Sequence, residues 1–307
     1  MNQFLVEYGP WFTAAGLVFD LVLRGALSLR IIMRRRPVGV TFAWLTIVLA
    51  LPFLGSLIYL LLGELRLGNR RAEWAKFVHK PYHEWLASLE GRYTVDWSSL
   101  GADCGPLSRV SQGVFGIPAL PNNHIELLPD WQHVFSRLIA DIDAARSTCH
   151  LEFYIWNAGG MADEVAAALM RAAERGVLCR VLLDDVGSRP FLRSPLAEKM
   201  REAGVRLQAA LPAGLLRMLF FRVDLRFHRK IVVIDGEIGY TGSLNLVDPR
   251  YFKADAGVGQ WVDAMVRVRG PVVESLAITF LEDWELETEE PTEELRATGD
   301  VHPLSAA

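Results

Sequence analysis

The sequence predicts an α/β fold, a sheet flanked by helices, preceded by a helical hairpin in a membrane. Two observations predict it. From Asp130 to Trp284, short apolar runs alternate with amphipathic stretches of helical period, the pattern of a sheet covered by helices. From Pro37 to Gly63, 27 consecutive positions carry no charged side chain, enough for a helix to cross a bilayer.

The elements follow in chain order. Tyr8 to Met33 is a second apolar segment, interrupted by Asp20, Arg24 and Arg30, and it pairs with Pro37–Gly63 as a hairpin over residues 1–63. Pro52 and Gly55 predict a kink in the second arm. Basic residues lie on both sides of that arm, at Arg34 to Arg36 and at Arg66, Arg70 and Arg71, so charge does not orient it. Residues 64–120 read as a connector. Within it, Glu64 to Leu89 fits either a helix on the membrane surface, anchored by Trp74, Phe77, Tyr82 and Trp85, or a helix packed on the main domain. Gly91 to Pro121 reads as linker.

Residues 121–284 hold the main domain. Asp130–Arg146 is an amphipathic helix, His150–Ile155 a strand, and Asp163–Arg175 an alanine-rich helix stopped by Gly176. Val177–Leu183 is a buried strand ending at Asp184 and Asp185. Pro195–Ala203 is a helix and Val205–Ala209 a strand. Phe227–Ile234 and Glu237–Thr241 pair through the turn dipeptide Asp235-Gly236. Trp261–Val268 is a strand and Val272–Trp284 a helix.

Charge divides unevenly. Residues 281–307 carry nine acidic side chains and one basic, and the rest of the chain is net positive. The acidic residues 285–307 read as a solvated tail, and the mildly basic body suits an anionic lipid surface. That body is too weakly basic for a nucleic-acid binder, so no nucleic acid is expected as partner. Cys104, Cys149 and Cys179 form neither a disulfide framework nor a zinc pattern and read as small buried hydrophobes.

One stretch carries chemistry, FHRKIVVIDGEIGYTGSLNLVDPRY. His228 and Lys230, two apart on the predicted strand, face one side. Asp235 enters the turn and braces the strand end. The return strand delivers Gly242, where a missing Cβ admits a phosphate to the backbone, and Ser243 and Asn245, which donate hydrogen bonds. A lysine and polar donors stabilise charge on phosphoryl oxygens, and a neutral histidine attacks phosphorus. This chemistry calls for no metal and no cofactor. Leu211 to Phe221, with Arg217, Arg222 and Arg226, fits equally a loop that dips into lipid and a packed helix.

The spacing H-x-K-x4-D, then G-S-x-N, resembles the HKD motif of the phospholipase D superfamily. EFYIWNAGGMADEVAAALM, DAGVGQWVDAMVRVRGP, LLLGELRLGNRRAEW and the two opening apolar segments narrow the resemblance to the N-terminal half of bacterial cardiolipin synthases, over about residues 8–290. The resemblance implies a multi-pass enzyme of the bacterial inner membrane. It implies that two phosphatidylglycerol molecules are joined with release of glycerol. It also implies that His228, Lys230 and Asp235 are catalytic and that Asp263 orients the histidine. The family carries two such motifs. No other histidine in this sequence has a lysine two positions on, and His79-Lys80 has the wrong spacing. A second half, or a second copy, is therefore expected to complete the site. The alternatives are a hydrolytic phospholipase D and an inactive membrane scaffold that pairs with another HKD subunit.

Overall fold

A computed structural model describes residues 2–34, 36–63, 69–212, 226–253, 257 and 259–290. The Leu211–Phe221 run beyond Pro212 and the acidic residues after Glu290 lie outside the described residues. The described residues form two compact units divided at Asn69 and Arg70.

In the first unit, α1 (Asn2–Met33) pairs with α2 (Val38–Ala50). The second apolar run is not one helix. It stops at Leu51–Phe53, restarts as α3 (Leu54–Ile58) and ends in a π-turn at Tyr59–Gly63. Among the described residues no helix is long and apolar enough to cross a membrane, which departs from the predicted spanning hairpin. The reason is local. Pro52 cannot donate to the helix ladder, and Phe53 adopts φ 56°, so the chain doubles back. α3 then runs so close to α2 that a Cβ on Gly55 would lie 2.1 Å from the Ile47 carbonyl oxygen. Asp20, the charge that interrupts the first apolar segment, explains itself here. It is 0% exposed, accepts a 2.7 Å hydrogen bond from the Phe53 N–H, and pairs with Arg24 at 2.6 Å. Arg24 in turn donates to the Leu49 carbonyl near the end of α2 at 3.2 Å. The ion pair therefore satisfies backbone groups on both sides of the break.

The second unit is a seven-stranded sheet between two helical layers. Its strands are β1 (His124–Leu128), β2 (Thr148–Phe153), β3 (Leu178–Asp184), β4 (Arg206–Ala210), β5 (Lys230–Ile234), β6 (Ile238–Gly242) and β7 (Met265–Arg269). They lie in the order β1-β7-β6-β5-β2-β3-β4. β2, β3 and β4 are parallel, and β5, β6, β7 and β1 continue antiparallel from β2. Ile234 pairs with Ile238, and in the three-residue loop between them Asp235 and Gly236 both have positive φ, 53° and 65°.

One face is covered by α6 (Trp131–Asp143), α7 (Met161–Glu174) and α9 (Pro195–Glu202); α4 (Asn69–Arg92) and α5 (Cys104–Phe115) precede them, and the short α8 (Arg189–Leu192) lies between α7 and α9. Buried alanines let α7 lie close to the sheet, and Gly176 at φ 88° ends it in the left-handed conformation. Leu151, Phe153, Val181, Leu183, Val232 and Tyr240 fill that core. The other face is covered by α4 and by α10 (Val272–Thr288). Val78, Tyr82, Leu86 and Leu89 of α4 are buried with Ile278, Phe280, Leu281 and Trp284 of α10. Of the two readings of this helix, packing on the domain is the one observed.

Three predictions need correcting. Gly91–Pro121 is not all linker, because α5 lies within it. The acidic tail does not start at Glu285. α10 runs on to Thr288, and buried Glu285 accepts a 2.8 Å hydrogen bond from the Tyr82 hydroxyl. Cys149 and Cys179 are buried as expected, but Cys104 is exposed.

A polar layer lies between the sheet and α10. His150 stacks on Phe280 at 4.8 Å, and the Arg180 guanidinium sits over Trp284. Beside them Glu152 is 1% exposed, with neither carboxylate oxygen hydrogen-bonded. Burial, opposed by Arg229 and reinforced by Glu287, pushes its pKa up to about 8. In the window between its ordinary value of 4.5 and about 8, the folded chain holds a proton that the unfolded chain has lost. Stability therefore falls as pH rises through that window. Glu152→Gln is expected to raise Tm by roughly 2–4 °C near pH 8, where the native carboxyl carries its full cost, and to change it little near pH 5. Thermal scans at the two pH values check this, and an equal shift at both would contradict it.

Candidate active site

The strand register brings most of the predicted site to one end of the sheet. Lys230 opens β5 opposite Phe153, the last residue of β2. Gly242 ends β6 opposite Met265, the first residue of β7. The loops beyond these strand ends carry Tyr154, Ser243, Asn245 and Asp263, and the chain before β5 carries His228. β3 is parallel to β2, so Asp184 closes the same end.

His228 lies outside the ladder, since β5 begins at Lys230, three residues later than predicted. The imidazole is exposed, and its ring rests on Tyr154 at 4.8 Å between centroids. Lys230 is 5% exposed. Its Nζ lies 3.4 Å from Nδ1 of His228 and donates to the His228 carbonyl at 3.1 Å, with the Tyr154 ring at 5.7 Å. Burial lowers the Lys230 pKa, and the nearby charge of Asp263 works against that shift. A buried ammonium beside an accessible imidazole interacts more strongly with an anion than one in water does.

The loop after β6 is fixed by its own bonds. Ser243 Oγ accepts from the Ala264 N–H at 3.1 Å, and Asn245 Oδ1 accepts from the Ile155 N–H at 3.1 Å. Gly242 is needed for a different reason than predicted. A Cβ there would lie 2.3 Å from the Ala264 carbonyl oxygen, so the space is taken by the start of β7 rather than left open for a phosphate. Asp263 is half-buried in the segment before β7. It makes no hydrogen bond to His228, and its Oδ2 is buried without a hydrogen-bond partner.

Asp235 is placed elsewhere. It sits at the far end of β5, roughly 16 Å of extended chain from Lys230. Its carboxylate accepts from the N–H groups of Arg146, Ser147 and Thr148 and from the Ser147 hydroxyl. It therefore braces the start of β2, the structural half of what its motif position predicted. Sequence reasoning missed Tyr154 and Glu152. Tyr154 could have been noticed as the residue just past a buried strand, at the sheet end where ligands bind in α/β folds. Among the described residues, no three His, Cys, Asp or Glu side chains come together as metal ligands.

Residues 138–284 match the family model described as "Cardiolipin synthase, PLD-like domain", and residues 25–64 match "Phospholipase_D-nuclease N-terminal". The chain is 46% identical over 286 residues to cardiolipin synthase A of Edwardsiella ictaluri, covering 93% of this chain and 57% of that protein. It is 44% identical, with the same coverage, to cardiolipin synthase A of Yersinia pseudotuberculosis. It thus spans a little over half the length of the curated relatives it matches. Among solved structures, the phospholipase D family member Nuc from Salmonella typhimurium aligns with a TM-score of 0.40 at 16% identity, covering 54% of this chain and 97% of that one. Residues 138–284 are a phospholipase D-like domain. More narrowly, the chain belongs to the family of PLD-like domains of cardiolipin synthases.

Proposed function

We propose that this chain supplies one half of the active site of a phosphatidyltransferase that makes cardiolipin from two phosphatidylglycerol molecules. An imidazole nitrogen of His228 attacks the phosphorus of the first, and the bond from phosphorus to the headgroup glycerol breaks. The result is a phosphatidyl-histidine and free glycerol. The terminal hydroxyl of the second phosphatidylglycerol then attacks the same phosphorus and releases His228. Lys230, with side-chain donors from Ser243 and Asn245 in the loop after β6, stabilises the phosphoryl oxygens in both steps. Asp263 acts on this pair through its charge. Asp235 supports the strand rather than the reaction.

The carrying observation is the pairing of exposed His228 with buried Lys230 at the sheet end, in a chain this similar to proteins named cardiolipin synthase A. A hydrolytic phospholipase D would share the first step, with water completing the second. Labelled phosphatidylglycerol separates the two. Cardiolipin and glycerol should form when the site is complete, with phosphatidic acid a minor product. The rate should persist in EDTA at constant lipid dispersion, because histidine and lysine supply nucleophile and charge. Phosphatidic acid as the main product would favour hydrolysis, and loss of activity restored by Mg²⁺ would refute the metal-free route.

The first unit suits an anchor in the lipid that holds the substrate. Trp11, Phe12, Leu17, Phe19, Leu21, Phe42 and Leu54 are all exposed on α1, α2 and α3, far more apolar surface than water tolerates on so small a unit. The chain is expected to sediment with membranes in high salt, which weakens charge attachment but not apolar insertion. Deleting residues 1–63 should release it. Recovery of the intact chain in the high-salt supernatant would remove the anchor from the account.

A further inference from the structure

His228 has no ladder bonds to hold it, so its placement depends on what surrounds Arg226–Arg229. Asp184, the last residue of β3, is 0% exposed. Its Oδ2 accepts from the N–H of Phe227, the residue before His228, at 3.1 Å. Its Oδ1 accepts from the N–H groups of Val186 at 3.0 Å and Gly187 at 2.9 Å, and from Arg226 Nη1 at 3.4 Å. One carboxylate therefore joins the peptide leading into His228 to the turn after β3.

That turn reaches the other side of the imidazole. Gly187 lies against Tyr154 so closely that a Cβ would fall 2.3 Å from the Tyr154 carbonyl oxygen and 3.0 Å from its ring. Ser188 Oγ donates to the same carbonyl at 3.1 Å and accepts from the Trp156 N–H at 2.9 Å. The Tyr154 ring is the surface on which the His228 ring rests. Backbone and ring of His228 are thus both referenced to Asp184.

We propose that Asp184 is a positioning residue that sets the location of His228 by clamping the Phe227 peptide and the Tyr154-bearing turn to the end of β3. This rests on the reading of His228 as the nucleophile. An amide cannot replace the carboxylate. Asparagine offers one acceptor where the clamp uses two, so its NH₂ must face either the Phe227 N–H or the Val186 and Gly187 amides. One limb of the clamp opens whichever way the amide turns.

The test uses the whole chain in detergent, labelled with ¹³C-histidine, and the same chain combined with a second catalytic half. In Asp184→Asn the nuclear Overhauser contact between the His228 and Tyr154 rings should disappear while the chain still unfolds cooperatively. Turnover in the completed enzyme should fall about 10- to 100-fold with KM within roughly twofold, as expected when a reacting group is misplaced by about an ångström. Arg226→Gln leaves the carboxylate in place and should give the same signature at smaller size, and it decides the matter if Asp184→Asn does not fold. Variants that lose thermal stability but keep the ring contact and the turnover would overturn the proposal and make Asp184 an ordinary turn brace. If His228→Ala proved fully active, the nucleophile reading would fail instead. The ring contact would still report whether Asp184 places His228.

Discussion

Combined with a second half that carries its own histidine and lysine, this chain should turn over labelled phosphatidylglycerol at least about 10²-fold faster than it does alone, the low end of what a positioned acid–base group contributes. When His228 attacks phosphorus, the departing glycerol oxygen needs a proton, and the incoming hydroxyl later has to lose one. The group that does this must stand on the far side of the phosphorus from His228, in line with the breaking bond. Lys230 is the nearest candidate in the chain, and its burial does bring its pKa down. Its position rules it out, because Nζ lies 3.4 Å from the His228 ring and approaches phosphorus from the same side. The sequence holds no second histidine with a lysine two positions on. Two copies of this chain meeting across a two-fold axis would supply one. In that case turnover by the chain alone would rise with the square of its concentration. Turnover by a demonstrated monomer that equals the combined rate would refute the two-histidine argument.

The second large effect is expected at His228 itself. His228→Ala in the completed enzyme should reduce transfer at least about 10³-fold, since the proposed covalent intermediate forms on its imidazole. Stability should hardly change, because the imidazole is exposed and takes no part in the sheet ladder. Lys230→Met should also reduce transfer severely, and with a different side effect. Lys230 is buried and donates to the His228 carbonyl, so its removal should loosen the start of β5 as well. Paired thermal scans and rate measurements separate the two cases. A large fall in Tm for His228→Ala would mean that the histidine is structural.

Much of this was legible in the sequence. Alternating apolar and helical periods placed every strand from β2 to β7, because a buried strand and an amphipathic helix leave different marks on the chain. The hairpin at Asp235-Gly236 was visible because so few dipeptides tolerate positive φ twice. Other features were hidden for physical reasons. β1 leaves Ile125 and Leu127 exposed at a sheet edge, so its residues do not read as a buried run. His228 sits just before its strand, where period-two alternation no longer applies. The break at Pro52 was foreseen only as a kink, because nothing in the sequence marks Phe53 for φ 56° or pairs its N–H with Asp20, 33 residues away. The bonds from Asp184 to Phe227 span 43 residues and leave no local signal. Residue type and spacing singled out His228, whereas the groups packed around it come from distant parts of the chain.

The most direct test of the account is to trap the intermediate. The completed enzyme is mixed with phosphatidylglycerol labelled in its phosphate, quenched in alkali within a turnover, and digested for peptide mapping. A phosphorus–nitrogen bond to histidine survives alkali and is lost in acid. The account predicts acid-labile label on the peptide that contains His228, absent from His228→Ala. Steady turnover with no label on protein, or label on a different residue of this chain, would contradict it.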